Sequence, residues 1–275
     1  MVRSIVRTSQ ASVAALALVL MQGPALAGGS IKDEPEGRAF TWSVNIAATT
    51  DYVFRGVSQT AEDPTIQGGA DIGYGIFYAG ILASGLDFGT NLNGTDVADL
   101  EIDFYAGIKP VWGPVTFDFG VLYYTYPGAA DGGVVVGEVP EADYVEIKVG
   151  ASGQFIPKLT SGVNVYFSPE YTNEQGEVWT VEGALGYELP QVAMFTPTIG
   201  GVVGGVFGDA TDGFFSANGE DEYMYWNVGL SLVVEKLTLD FRYWDTDIDD
   251  ANNFCTGPVF QCDERFVFTA KIVLP

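Results

Sequence analysis

The 275-residue sequence predicts an all-β protein, a single twelve-stranded antiparallel transmembrane β-barrel. Three observations lead there. Apolar and polar residues alternate with period two in segments of about 9 to 11 residues, the length that a tilted membrane-spanning strand requires. The connections between these segments alternate between short and long, as they do in bacterial outer-membrane barrels. After the first 27 residues no stretch of about 18 apolar residues runs without a glycine or a charge, so the rest of the sequence encodes no transmembrane helix.

In chain order, residues 1–27 come first. They carry a basic start (Arg3, Arg7), an apolar run over 11–21, the helix breakers Gly23 and Pro24, and then Ala25-Leu26-Ala27. This is the pattern of a cleaved secretory signal peptide with an A-x-A site, its apolar run too short to span a membrane. Residues 28–39 are a polar N-terminal lead-in, and 40–275 are the barrel.

Strands are expected to begin at Phe40, Thr65, Phe77, Leu100, Val115, Tyr144, Leu159, Val178, Thr198, Glu222, Leu237 and Glu264. The clearest alternation runs over 100–108: Leu100, Ile102, Phe104, Ala106 and Ile108 share one face, with Glu101, Asp103, Tyr105, Gly107 and Lys109 on the other. The next strand repeats it, with Val115, Phe117, Phe119, Val121 and Tyr123 opposite Thr116, Asp118, Gly120 and Tyr124. A face of each kind is what a wall between lipid and an aqueous lumen demands.

The short connections fall at 75–76, 110–114, 154–157, 189–197 and 234–236, and the long ones at 58–64, 88–99, 127–143, 169–177, 208–221 and 248–263. Six long and five short connections place both ends of the barrel on the periplasmic side. Aromatic residues crowd the strand ends, at Phe40/Trp42, Tyr52/Phe54, Phe77/Tyr78, 123–126, Trp179, 223–226 and Tyr243/Trp244, where they suit interfacial girdles. Glycines inside the strands permit the bends of a curved sheet.

Composition narrows the function classes. Twelve Lys and Arg stand against 36 Asp and Glu, a net charge of −24 that leaves no phosphate-neutralising surface for a nucleic acid. The absence of histidine removes Ser-His-Asp and Cys-His catalysis and His-ligated metals, so the chain is not expected to be an enzyme or to carry a cofactor.

Twelve strands close at a backbone radius of roughly 12 Å, so side chains decide what passes. Alternation turns Asp71, Glu101, Asp103, Asp118, Glu146, Glu182 and Asp240 inward, against Lys109, Lys148, Arg242, Arg265 and Lys271. These charges either pair across strands and fill the interior or form a cation-preferring constriction, and both can hold at once. Arg55 has two readings as well: a wall arginine paired with an acid to hold register, or a solute-binding group at the pore. Loop acids Asp209, Asp212, Glu220, Asp221 and Glu222, then Asp245, Asp247, Asp249 and Asp250, make a negative mouth. Asp245, Asp247 and Asp249 form a weak calcium candidate that departs from the EF-hand at its sixth position, Asp250, and its twelfth, Thr256. Cys255 and Cys262 are expected to form a local disulfide after export.

The run Thr50-Asp51-Tyr52-Val53-Phe54-Arg55-Gly56-Val57-Ser58-Gln59-Thr60, followed by Pro64-Thr65-Ile66-Gln67-Gly68-Gly69, resembles the TorF-type porins, also catalogued as the Gcw_chp family of bacterial outer-membrane proteins. The likeness continues through Phe77-Tyr78-Ala79-Gly80, Asp87-Phe88-Gly89, the segment 101–107 and the segment 120–124. It implies an outer-membrane β-barrel whose transported solute is generally unknown. One departure is the end Ile272-Val273-Leu274-Pro275, where barrel proteins commonly carry an aromatic residue read by the assembly machinery.

The expected function is a porin-like passive channel for small hydrophilic solutes across the bacterial outer membrane, cation-biased. Its partners would be outer-membrane lipid and lipopolysaccharide, small solutes and the barrel-assembly machinery. The alternative is a closed structural or surface-interaction barrel, with paired lumen charges blocking flow and acidic loops binding divalent cations or partners.

Overall fold

The computed structural model describes residues 40–89, 97–129, 142–172, 176–208, 222–248, 255 and 260–275. The leader, the polar lead-in and the loop acids Asp209, Asp212, Glu220, Asp221, Asp249 and Asp250 lie outside the described residues.

The strands in chain order are β1 (Phe40–Thr49), β2 (Val53–Phe54), β3 (Val57–Ser58), β4 (Thr65–Tyr74), β5 (Phe77–Gly85), β6 (Leu100–Ile108), β7 (Val111–Trp112) and β8 (Val115–Thr125). They continue with β9 (Tyr144–Ile156), β10 (Leu159–Ser168), β11 (Val178–Glu188), β12 (Thr196–Phe207), β13 (Glu222–Val234), β14 (Leu237–Thr246) and β15 (Arg265–Leu274). The twelve long ones form an antiparallel meander, and β1 pairs with both β4 and β15, closing the barrel. Closure leaves no unpaired strand edge, which a bilayer would not tolerate.

Short turns join the strands at one end. Gly75 (φ 60°), Lys158 (φ 68°) and Glu235 (φ 52°) supply the positive φ that tight hairpins require. The longer connections all lie at the opposite end. Ten residues at about 3.4 Å each, tilted by about 40°, span about 26 Å, close to the apolar thickness of an outer membrane.

Alternation explains which way each side chain points. Outward positions carry Ile46, Ile72, Phe104, Val121, Val149, Leu185, Val203, Val228 and Phe241, all exposed on the isolated barrel as only a lipid-facing belt can afford. Phe40, Phe77, Trp112 and Phe155 ring the short-turn end, and Tyr123, Trp179, Phe207 and Phe266 ring the long-loop end. Neighbours in sequence face opposite ways, so only alternate members of the aromatic clusters can reach lipid. Tyr124, Tyr126, Tyr223, Tyr225 and Trp244 instead turn inward and are buried.

Two sequence-based expectations change here. The first strand stops at Thr49 instead of running on toward Val57, so the first long connection spans 50–64. Tyr52 and Phe54 accordingly leave the girdle. They belong to a small β2–β3 hairpin that folds down into the lumen, where Val53 and Ser58 lose all solvent contact.

A plugged lumen as the candidate functional site

The plug begins where β1 meets β15. Thr49 Oγ1 donates to the Asp51 carbonyl at 2.8 Å, turning the chain inward at the top of the wall. The Asp51 carboxylate then gathers the segment: Ser58 Oγ donates to it at 2.7 Å, Thr60 Oγ1 at 2.8 Å, and Arg265 Nη1 of β15 at 3.2 Å. One buried acid therefore ties both legs of the hairpin to the barrel.

At the tip, Arg55 and Gly56 both have positive φ, 51° and 85°, making the two-residue primed turn that matches the twist of a hairpin. Gly56 is required by space as well as by conformation. A Cβ there would lie 2.9 Å from Tyr225 Cβ and would strike Thr246. Arg55 tolerates its strained backbone because its side chain is held by an ion pair and two ring faces. Arg55 Nη2 donates to Glu146 Oε2 at 2.8 Å, and Nη1 lies 2.8 Å from Oε1, with neither side chain more than 2 % exposed. Its guanidinium stacks 4.7 Å from the Phe54 ring centre and 5.2 Å from that of Tyr166. Glu146 stands on β9, across the lumen from the β1–β15 seam where the plug is rooted.

Tyrosines fill the space around the hairpin. Tyr124 and Tyr144 stack at 4.4 Å, and Tyr144 packs on Tyr171 at 4.8 Å. Their hydroxyls meet carboxylates: Tyr52 donates to Glu101 at 2.7 Å, Tyr124 to Glu146 at 3.0 Å and Tyr225 to Glu182 at 2.6 Å. Buried polar groups need such partners. Among the described residues, Asp103 Oδ1, Thr180 Oγ1 and Arg55 Nη1 are buried without a hydrogen-bond partner, the last of them in ion-pair contact with Glu146.

Arg55 is therefore paired with an acid, but from the plug and not from the wall where the sequence reading put it. The other candidates all point into the lumen. Lys148 donates to Asp118 at 2.8 Å, and Tyr78 to the same carboxylate at 2.7 Å. Arg242 grips Asp240 through Nε and Nη2, each at 3.0 Å, while Ser231 Oγ donates to Asp240 and Arg242 Nη1 reaches Asn227. Asp71 accepts from Tyr105 at 2.5 Å and from Ser43 at 3.3 Å. Lys109 lies over the Tyr78 ring at 4.5 Å. Among the described residues neither Lys109 nor Lys271 has a carboxylate within ion-pair distance.

Among the described residues, the lumen is filled toward the long-loop end and open toward the short-turn end. Inward residues near the loops, such as Ser84, Glu101, Ser168, Val178 and Val206, are buried, whereas Ser43, Tyr78, Lys109, Thr116, Thr160 and Thr238 are partly exposed and Ser152 is exposed. A cleft runs from this vestibule up the β4–β1–β15–β14 wall to Tyr52 and Asp51 of the plug, passing Asn45, Gln67, Thr269, Lys271 and Trp244.

The remaining candidates sit at the loops. Cys255 and Cys262 are joined by a disulfide. Asp245 accepts from Tyr243 and from the Thr246 amide, and Asp247 accepts from the Met224 amide at 2.6 Å, so both cap the end of the β13–β14 ladder. Asp249 lies outside the described residues, and among the described residues no three acidic or sulfur side chains are grouped to hold a metal. Sequence reasoning missed Asp51, Tyr52, Asn45, Gln67 and Trp244 as site residues. A signal for the plug was present in Asp51 and Arg55-Gly56, charges and a glycine that interrupt what otherwise reads as continued strand.

A family model described as a bacterial protein of unknown function (Gcw_chp) matches residues 32–273. No curated protein matches the chain in sequence. Among solved structures, the NanC porin is 9% identical with a TM-score of 0.48, covering 84% of this chain and 98% of that one. A loop L8 deletion mutant of OmpT, an outer membrane protein of Vibrio cholerae, is 11% identical with a TM-score of 0.40, covering 87% of this chain and 100% of that one. OpdQ of Pseudomonas aeruginosa is 12% identical with a TM-score of 0.37, covering 88% and 69%.

Proposed function

The chain belongs to the Gcw_chp family, whose function is unknown, so its activity must be argued from its own geometry, and we propose a porin-like passive channel of the bacterial outer membrane for small hydrophilic solutes. The observation that carries this reading is a closed barrel, apolar outside, whose charged and hydroxyl-lined lumen opens at the short-turn end. Short turns face the periplasm in outer-membrane barrels, so the open vestibule is periplasmic and the plug guards the external mouth.

Conduction needs no covalent step, only a polar path. The lumen and plug place Asp51, Asp71, Glu101, Asp103, Asp118, Glu146, Glu182 and Asp240 against Arg55, Lys109, Lys148, Arg242, Arg265 and Lys271, an excess of two acids. Because most of these charges are paired, the preference for cations is modest. It acts through the field along the path and not through a single ring of acids.

The plug's own packing favours a second reading, a barrel closed for good in a structural role. Removing the plug separates the two. Thr49 and Thr65 face each other across the β1–β4 ladder, so a two-residue Asn-Gly turn can replace 50–64 without disturbing register. In planar bilayers the intact chain should show rare, small openings, and the plug-deleted chain frequent, larger, weakly cation-selective ones. A deleted variant that folds yet stays silent refutes the channel.

A further inference from the structure

We propose that the cleft under the plug is a binding site for a small hydroxylated monocarboxylate, with Lys271 as the group that takes its carboxylate; this deepens the channel reading and rests on it for the site's purpose. Lys271 is 7 % exposed. Its cross-strand neighbours are Ala47 and Thr238, neither of which can accept its charge as a carboxylate would. Among the described residues no acid lies within ion-pair distance of Lys271: Asp71 attracts it only from farther off while accepting from Tyr105 and Ser43, and Asp240 is held by Arg242 and Ser231. A desolvated ammonium with no carboxylate in contact is costly unless something occupies the space before it.

The rest of the cleft says what that something is. Of the two cations that line the cleft among the described residues, Arg242 is taken up by Asp240 and Asn227 and Lys271 alone is left without an ion-pair partner, so a monoanion fits better than a phosphate or a dicarboxylate. Next to Lys271 along the cleft stand Asn45, whose carboxamide makes no hydrogen bond among the described residues, and Gln67, whose amide group is on Ser84 Oγ and whose oxygen is left as an acceptor. These match neutral hydroxyl groups. At the plug end Trp244 and Tyr52 give the apolar edge against which the carbon skeleton of such a molecule packs.

The test uses the full chain folded in detergent, with gluconate as probe and glucose as its neutral counterpart, followed by calorimetry at low ionic strength. Gluconate should bind saturably and glucose at least about tenfold more weakly, the loss of one charge-assisted hydrogen bond. Lys271→Met, which keeps the buried methylenes, should remove that difference, and Lys271→Arg should keep it, with slower gel migration on heating as the control for a folded barrel. Equal displacement of gluconate by chloride at matched concentration overturns the proposal in favour of an unselective anion site, and no saturable gluconate signal in the unmodified chain overturns it outright. Binding in calorimetry by a chain whose plug-deleted form stays silent in bilayers leaves the site standing and refutes the channel. Conduction that gluconate does not block, with no calorimetric binding, does the reverse.

Discussion

The Arg55–Glu146 pair is the part of the plug whose energy can be worked most directly. Both side chains are almost fully buried, and the guanidinium and carboxylate meet at 2.8 Å through two pairs of atoms. Arg55→Met keeps the length and packing of the side chain over Phe54 and Tyr166 but leaves Glu146 with only the Tyr124 hydroxyl. Breaking one side of a buried ion pair costs about 3 to 5 kcal/mol, because the surviving charge stays desolvated. That cost falls on the docked plug alone, since an undocked plug lets water reach Glu146. The docked-to-undocked ratio should therefore drop by roughly a hundredfold to several thousandfold. Single-channel recording reads it as open probability. The double variant Arg55→Met with Glu146→Leu removes the stranded charge as well, and should return the plug most of the way to its closed state. Arg55→Met that folds but opens no more often than the unmodified chain refutes the argument, as does a double variant as open as the single one.

The remaining predictions follow from other contacts. Gly56→Ala adds a Cβ against Tyr225 and Thr246 at a φ of 85°, and should raise open probability while leaving the barrel's melting temperature nearly unchanged. Asp51→Asn weakens the bonds from Ser58, Thr60 and Arg265 together, so limited proteolysis should cut within 50–64 in the variant and not in the parent. Val121→Arg puts a charge into the lipid belt at a cost of about 2 to 4 kcal/mol, and should lower the yield of heat-modifiable barrel in lipid vesicles. Reducing the Cys255–Cys262 disulfide frees a closed loop whose constraint contributes about 2.5 kcal/mol, and should speed proteolysis of 248–263 without changing the strand core.

How much of this could be read from the chain depends on the range of the interaction. The wall was legible because period two is a local property: Leu100 to Ile108 declares its two faces in nine residues, and the structure gives that strand the same ends. Inward charges such as Asp118 and Arg242 were legible for the same reason. Their partners were not, because Arg55 and Glu146 are 91 residues apart and only closure of the barrel brings them together. The plug was hidden by its own regularity. Tyr52-Val53-Phe54 has the residue types of a strand and follows one without a proline, and the local signs at Asp51 and Arg55-Gly56 mark an interruption without saying whether the chain resumes the wall or folds inward. Aromatic clusters misled in a simpler way, since composition at a strand end cannot say which of two adjacent rings faces lipid.

The chemistry of the plug's surroundings decides whether it is a wall or a door. A hairpin packed among leucines could leave only by exposing apolar surface, at about 25 cal/mol for each Å². Here much of the contact is tyrosine, and three hydroxyls spend themselves on carboxylates at Glu101, Glu146 and Glu182. Water can replace each such bond at a net cost near 1 kcal/mol, because the undocked groups regain hydration that a hydrocarbon never would. The ion pairs behave likewise, since Arg55, Glu146, Asp51 and Arg265 all recover solvent when the hairpin lifts. Closure is thus built from interactions that are specific in geometry yet exchangeable with water. A sealed lumen of this composition is compatible with a passive channel in a way that an equally tight aliphatic core would not be.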